Sequence, residues 1–206
     1  MHRILNIAGN ENNNVDLIEH PKADFIFITS VKADINIISD LIEDKEFLLF
    51  QDNFRALEIS NLNTFAQIDN YFLKTINYAK IVVLRLFGDK GTWSYGLEQL
   101  IKWKEVNLNK TLLILSGTDE EDLSLNELSS VDLDTSLKIS KLLKSGGKEN
   151  YRRFLYCLSY LSSNETNIPK KYISNVSYPC LLYTSPSPRD QRGSGVPWSA
   201  WKKKGG

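Results

Sequence analysis

Apolar residues fall in two rhythms along this chain. Four short runs are apolar almost without interruption or alternate with polar positions: residues 24–30 (DFIFITS), 55–60 (RALEIS), 81–87 (IVVLRLF) and 111–116 (TLLILS). Runs of this length, rich in Ile, Val, Leu and Phe, predict β-strands. Those at 24–30, 81–87 and 111–116 lack alternation, which marks strands covered on both faces. Between and after the runs the apolar period changes to that of a helix. Ile35, Ile38, Leu41 and Ile42 share one helical face, as do Phe65, Ile68, Phe72, Ile76 and Ala79 after a Thr64 cap. A helix over 94–105 (SYGLEQLIKWKE) has Ser94 as its candidate cap. Thr118 and Glu121 form a capping box, with Asp119 and Glu120 adding negative charge to the first turn. Leu137, Ile139, Leu142 and Leu143 continue the helical pattern to a stop at Gly146 or Gly147. Tyr151, Phe154, Leu155, Leu158 and Leu161 form the cleanest amphipathic stripe.

Strands alternating with helices predict an α/β fold: a small doubly wound parallel sheet, Rossmann- or flavodoxin-like, with additional C-terminal helices. The pattern fails after residue 179. CLLYTSPSPRDQRGSGVPWSAWKKKGG has no apolar periodicity, with three of the six prolines and four of the eleven glycines. It resembles the translation of a sequencing-library adapter. The expected organisation is an α/β region over 1–179 and a non-native, disordered tail over 180–206.

Charge sharpens this division. The 206 residues balance at a formal charge of zero, which argues against a strongly basic nucleic-acid binder. The last 27 residues hold five of the basic groups and one acid, so the body carries 20 Lys and Arg against 24 Asp and Glu. Cys157, Cys180, His2 and His20 are too few and too scattered for a disulfide framework or zinc site. No run approaches the ~20 apolar residues of a membrane span. MHRILNIAGNENNN does not read as a signal peptide, so the expectation is a cytoplasmic protein.

The stretch FGDKGTWSYG, residues 87–96, follows the strongest strand and opens a helix, the layout of a phosphate loop. Its spacing matches neither G-x-x-x-x-G-K-[ST] nor G-x-G-x-x-G, and Trp93 and Tyr95 are bulky where a pyrophosphate needs bare backbone. The structural reading is a tight turn. Gly96 lets the helix pack closely, and Trp93 and Tyr95 cover the sheet edge. Arg85, a charge inside an apolar strand, requires a partner, with Asp89 or Glu98 available. Ligand contact at the carboxyl ends of the strands is the alternative role for this group. No Ser–His–Asp set, G-x-S-x-G or H-E-x-x-H is present.

Residues 82–100 carry a resemblance. VVLRLFGDKGTWSYGLEQL is similar to a signature of the CobN-type cobaltochelatase large subunits, a family related to the large subunit of magnesium chelatase. Arg85, Leu86, Gly88, Trp93, Tyr95, Gly96, Glu98, Gln99 and Leu100 match it; Phe87, Asp89, Thr92 and Ser94 depart from it. LLKSGGKENYRRFLYCLSYLSS resembles a second family segment through Gly146, Gly147, Glu149, Asn150, Leu158, Tyr160 and Leu161, and the opening through HPKADFIFITS resembles the family's start.

This resemblance implies the N-terminal part of a subunit that inserts cobalt into a corrin-type macrocycle during cobalamin biosynthesis, inactive as a fragment. It implies AAA+-type ATPase subunits as partners, a tetrapyrrole substrate, and cobalt, ATP and Mg for the whole complex. None of these is expected to be held by catalytic, cofactor-binding or metal-binding residues of this stretch. Arg85, Trp93, Tyr95 and Glu98 are the candidates for substrate or partner contact. The alternatives are the magnesium–protoporphyrin branch of the same family, and a stand-alone flavodoxin-like or response-regulator-like module holding an anion at 88–96.

Overall fold

The structure is a computed structural model that describes residues 17–118, 123–163 and 168–174. Four strands, β1 (Phe25–Thr29), β2 (Phe54–Glu58), β3 (Ile81–Leu86) and β4 (Thr111–Ser116), form one sheet in the order β2-β1-β3-β4. Every pairing is parallel, with Phe25 beside Phe54 and Ile81, and Ile81 beside Thr111. The α-helices are α1 (Lys32–Ile42), α2 (Phe65–Lys74), α3 (Ser94–Val106), α4 (Leu123–Asn126), α5 (Leu133–Ser145), α6 (Lys148–Ser162) and α7 (Lys170–Ile173). Three single 3-10 turns lie at Lys45–Phe47, Ile59–Asn61 and Ile76–Tyr78.

Both sheet faces are covered, as the unbroken apolar runs require. Successive side chains of a strand point to opposite faces. Phe25, Phe27, Ile81, Val83, Leu113 and Leu115 therefore build one core with α1, α5, α6 and α7. Ile26, Ile28, Val82, Leu84, Leu112 and Ile114 build the other with α2, α3 and α4. The chain moves one way from β1 to β2, then reverses across β1 to β3 and β4. Crossovers of constant hand then put α1 on one face and α2 and α3 on the other. The doubly wound α/β architecture expected from the sequence is present.

The outer edge of β4 is closed by side chains. Leu112 N donates to Ser130 Oγ at 2.9 Å, and Ile114 N donates to Ser129 Oγ at 2.8 Å. Ser116 N reaches Asn126 Oδ1 at 3.4 Å. In return Ser130 Oγ donates to Leu112 O, Ser129 Oγ to Ile114 O, and Ser140 Oγ to Ser116 O. Among the described residues, the outward amides and carbonyls of the strand are thus satisfied without a fifth strand, which removes a template for edge pairing.

Local boundaries depart from the sequence pattern in instructive ways. Thr64 caps α2 as expected, and Gln67 completes a capping box. The helix stops at Lys74, and Ile76 and Ala79 reach the core from the following 3-10 turn and strand lead-in. Phe65, placed by periodicity on the inner face, is 68% exposed. Position N1 lies beyond the layer that the helix buries, and its ring rests instead on Tyr95, 4.4 Å between centroids. Ser94 is the first residue of α3 and makes no cap bond; Trp93 holds the N-cap position. Gly146 (φ +63°) and Gly147 (φ +81°) supply the positive φ that ends α5. The capping box at Thr118–Glu121, the opening segment and the tail from 180 lie wholly or partly outside the described residues.

Candidate functional site

The strand order reverses between β1 and β3, and their carboxyl ends form the switch point where open α/β sheets place ligands. Thr29 and Arg85 are paired there in register. Both point to the α1/α6 face, because they continue the Phe25–Phe27 and Ile81–Val83 alternation. Asp34 enters from the first turn of α1, and Tyr151 from the first turn of α6.

These four side chains form one buried network. Arg85 Nη1 donates to Asp34 Oδ1 at 2.6 Å and to Tyr151 OH at 3.3 Å. Tyr151 OH also donates to Asp34 Oδ1. Thr29 Oγ1 donates to Asp34 Oδ2 at 2.7 Å and accepts from Val31 N at 3.0 Å. The side chain of Asp34 is fully buried and that of Arg85 is 6% exposed. Burial, then the bond to Asp34, pushes the Tyr151 phenol far above its ordinary range, so it stays a neutral donor. A buried pair survives desolvation only with such supporting bonds. The network ties β1, β3, α1 and α6 together.

Arg85 thus has the structural ion pair expected of it, but with a different partner. Asp89 and Glu98, the candidates nearest in sequence, face elsewhere. Asp89 Oδ1 accepts from Gly91 N at 2.9 Å, folding the 88–91 turn on itself. That carboxylate occupies the amide a phosphate would need, so the turn is poorly suited to a nucleotide. Gly88 (φ +99°) sets the turn's left-handed entry. Glu98 pairs with Lys102 at 2.6 Å on the exposed side of α3.

Trp93 and Tyr95 do not cover a sheet edge, since β3 is an inner strand. Trp93 is buried in the α2/α3 core, with Nε1 donating to Leu62 O at 3.1 Å. Gly96 serves this indole rather than the sheet: a Cβ there would meet Trp93 Cζ2 at 2.2 Å. Tyr95 lies between α2 and α3, its OH donating to Asp69 Oδ1 at 2.7 Å. Arg85, Trp93, Tyr95 and Glu98 therefore do not converge. Arg85 is on one face, Trp93 inside the other, and Tyr95 and Glu98 are on the surface beyond it. Sequence reasoning missed Asp34, Thr29 and Tyr151. The only available signal was an acid within the apolar face of KADINII.

Among the described residues, no three His, Cys, Asp or Glu side chains converge as a metal set. No described helix is long and apolar enough to cross a membrane. His20 is committed elsewhere, its Nδ1 lying 3.0 Å from Tyr71 OH. Cys157 is buried, its thiol pushed up to about 12 by burial.

The fold and this network define a small doubly wound α/β domain with a buried polar network at its switch point. No family model matches the chain. Among curated proteins it is similar to the aerobic cobaltochelatase subunit CobN of Pseudomonas aeruginosa, 30% identical over 111 residues, 52% of this chain and 9% of that protein. It is also similar to the CobN subunit of a Sinorhizobium species, 26% identical over 175 residues, 83% of this chain and 13% of that protein. A solved structure, the catalytic subunit of cobaltochelatase from Mycobacterium tuberculosis, aligns at TM-score 0.49 and 22% identity over 68% of this chain and 10% of that one. The chain is similar to CobN-type cobaltochelatase subunits over part of its length and spans about a tenth of the length of the curated relatives it matches.

Proposed function

We propose that this chain forms the N-terminal α/β region of the large subunit of an ATP-dependent cobaltochelatase, which inserts cobalt into a corrin-type macrocycle on the way to cobalamin. The observation that carries this reading is the 30% identity to CobN over 111 residues. In this reading the region is a rigid framework piece, cytoplasmic and inactive alone. The macrocycle and cobalt are handled by the rest of the large subunit, and AAA+-type partners hydrolyse ATP with Mg. The chemistry of the described residues supports the division of labour. Asp34, Tyr151 and Thr29 are committed to one another and to Nη1 of Arg85, and the glycine turn is occupied by Asp89.

A chimera tests the proposal. Residues 1–175 replace the matching segment of the Pseudomonas CobN subunit, and cobalt insertion is assayed with the ATPase partners. Restored insertion supports it. A chimera that folds and assembles but inserts no cobalt overturns it, as does cobalt insertion by the 206-residue chain alone.

A further inference from the structure

The guanidinium of Arg85 is only partly used. Nη1 makes both of its bonds, to Asp34 and Tyr151. Nε is buried and meets no acceptor, and no bond to Nη2 occurs among the described residues. Nε and Nη2 form the side-on edge that grips an oxyanion through two parallel N–H bonds. A buried cationic donor without an acceptor is costly, and native structures seldom leave one so.

Further donors stand at the carboxyl ends of the same two strands. Ser30, which leads from β1 into α1, uses its Oγ to accept from Phe87 N at 3.2 Å, leaving its hydroxyl proton unassigned among the described residues. The eleven-residue α1 has Val31 at its N-cap position and no side-chain cap, and the Lys32 and Ala33 amides take no partner among the described residues. Asp34, on the first turn of this helix, holds the guanidinium beside it. The positive end of the helix dipole and the exposed Lys32 add to the same potential. The Phe87 ring, 5.7 Å from the guanidinium carbon and 45% exposed, is the solvent-side neighbour of the cluster.

We propose that the carboxyl ends of β1 and β3 form an oxyanion-binding site, in which the Nε–Nη2 edge of Arg85, the Ser30 hydroxyl and the open amides of α1 receive a phosphate or carboxylate group. Every free group is a donor, so the ligand must bring acceptors. Asp34 already neutralises one positive charge, so binding rests on aligned donors and the helix terminus, and it falls in the millimolar range. This site lies on the α1 side of β3 and is distinct from the 88–91 turn. It stands whether or not the chelatase reading does, since its test reads binding and not cobalt insertion.

The test is a 15N NMR titration of the full 206-residue chain with inorganic phosphate, and separately with acetate, against sodium chloride at matched ionic strength. The expected result is a saturable shift of the Arg85 Nε–H and of the Lys32 and Ala33 amides. The stronger arm identifies phosphate or carboxylate as the preferred group. Lys32→Gln, an exposed change, weakens binding about threefold by removing one charge from the helix start. Ser30→Ala weakens it further while the fold stays intact by amide dispersion. Three results each overturn the site: no saturable shift beyond the chloride control, shifts that miss Arg85 Nε–H, or an affinity unchanged in both variants.

Discussion

Asp34 Oδ1 lies 2.6 Å from Arg85 Nη1 with both side chains out of solvent, 51 positions apart in the chain. This contact locks the first turn of α1 to the end of an inner strand. Thr29 and Tyr151 take up the remaining capacity of the carboxylate. Breaking one side of such a pair leaves the other charge buried and uncompensated. Arg85→Met is expected to lower unfolding free energy by about 3–5 kcal/mol, and Arg85→Met with Asp34→Leu to lose less than Arg85→Met alone. Urea unfolding of the two single variants and the double variant measures the coupling. Additive losses would show that the pair is not a unit.

Gly96 sets two effects in opposition. Alanine is better than glycine in a helix interior by about 1 kcal/mol. A methyl at this position meets the Trp93 indole at 2.2–2.4 Å, and that ring is pinned by its bond to Leu62 O. The clash wins. Gly96→Ala is expected to destabilise by roughly 1–3 kcal/mol, read as a lower melting temperature with altered near-UV dichroism. Unchanged or raised stability would mean that the indole is free to move.

Ser129 and Ser130 replace a neighbouring strand along β4. Their joint change to alanine frees the Leu112 and Ile114 amides and the Ile114 carbonyl at the edge, while Leu112 O keeps its bond from Ser130 N. Expected are a stability loss of about 1–3 kcal/mol and self-association that rises with concentration. Light scattering after size exclusion reads the second effect. A double variant that stays monomeric would show that other features of the edge suffice.

His20 is held neutral. Burial first, then the charge of Arg55, lowers its pKa below the ordinary 6.5. The unfolded chain takes up the proton at the ordinary value, so it binds more protons than the folded one below that point. Stability is therefore full above about pH 6.5 and falls as pH drops through the depressed folded value. His20→Gln should flatten the pH dependence of urea unfolding between about pH 7 and 5. An unchanged slope would place the responsible group elsewhere.

Cys157 sits in the α6 core, and its thiol is pushed up to about 12 by burial. In a Cys180→Ser background, a thiol reagent at neutral pH should label the chain only at the rate of unfolding. Prompt labelling of the native protein would contradict this packing.

The layered architecture was legible because strands covered on both faces must be apolar throughout, as in FIFIT and IVVLRL. The helical stripe Tyr151–Phe154–Leu155–Leu158 was legible for a similar reason, since a 3.6-residue period leaves a pattern in any buried helix face. Phe65 and Ser94 were misplaced because the ends of a helix are set by what they pack on. Arg85 was recognised as a charge in need of a partner. The nearby acids were favoured because sequence separation was the only distance available.

The sequence by itself determined the alternation of strands and helices, their approximate extents, the α/β class and the resemblance to CobN-type subunits. These follow from periodicity and motif, which are properties of neighbours along the chain. Only the tertiary structure decided that Arg85 meets Asp34 and Tyr151, that Trp93 fills a core rather than an edge, and that three serines and an asparagine close β4. The reason is physical. Each contact joins segments brought together by the order β2-β1-β3-β4, and a charge or hydroxyl leaves no periodic trace of the partner that satisfies it.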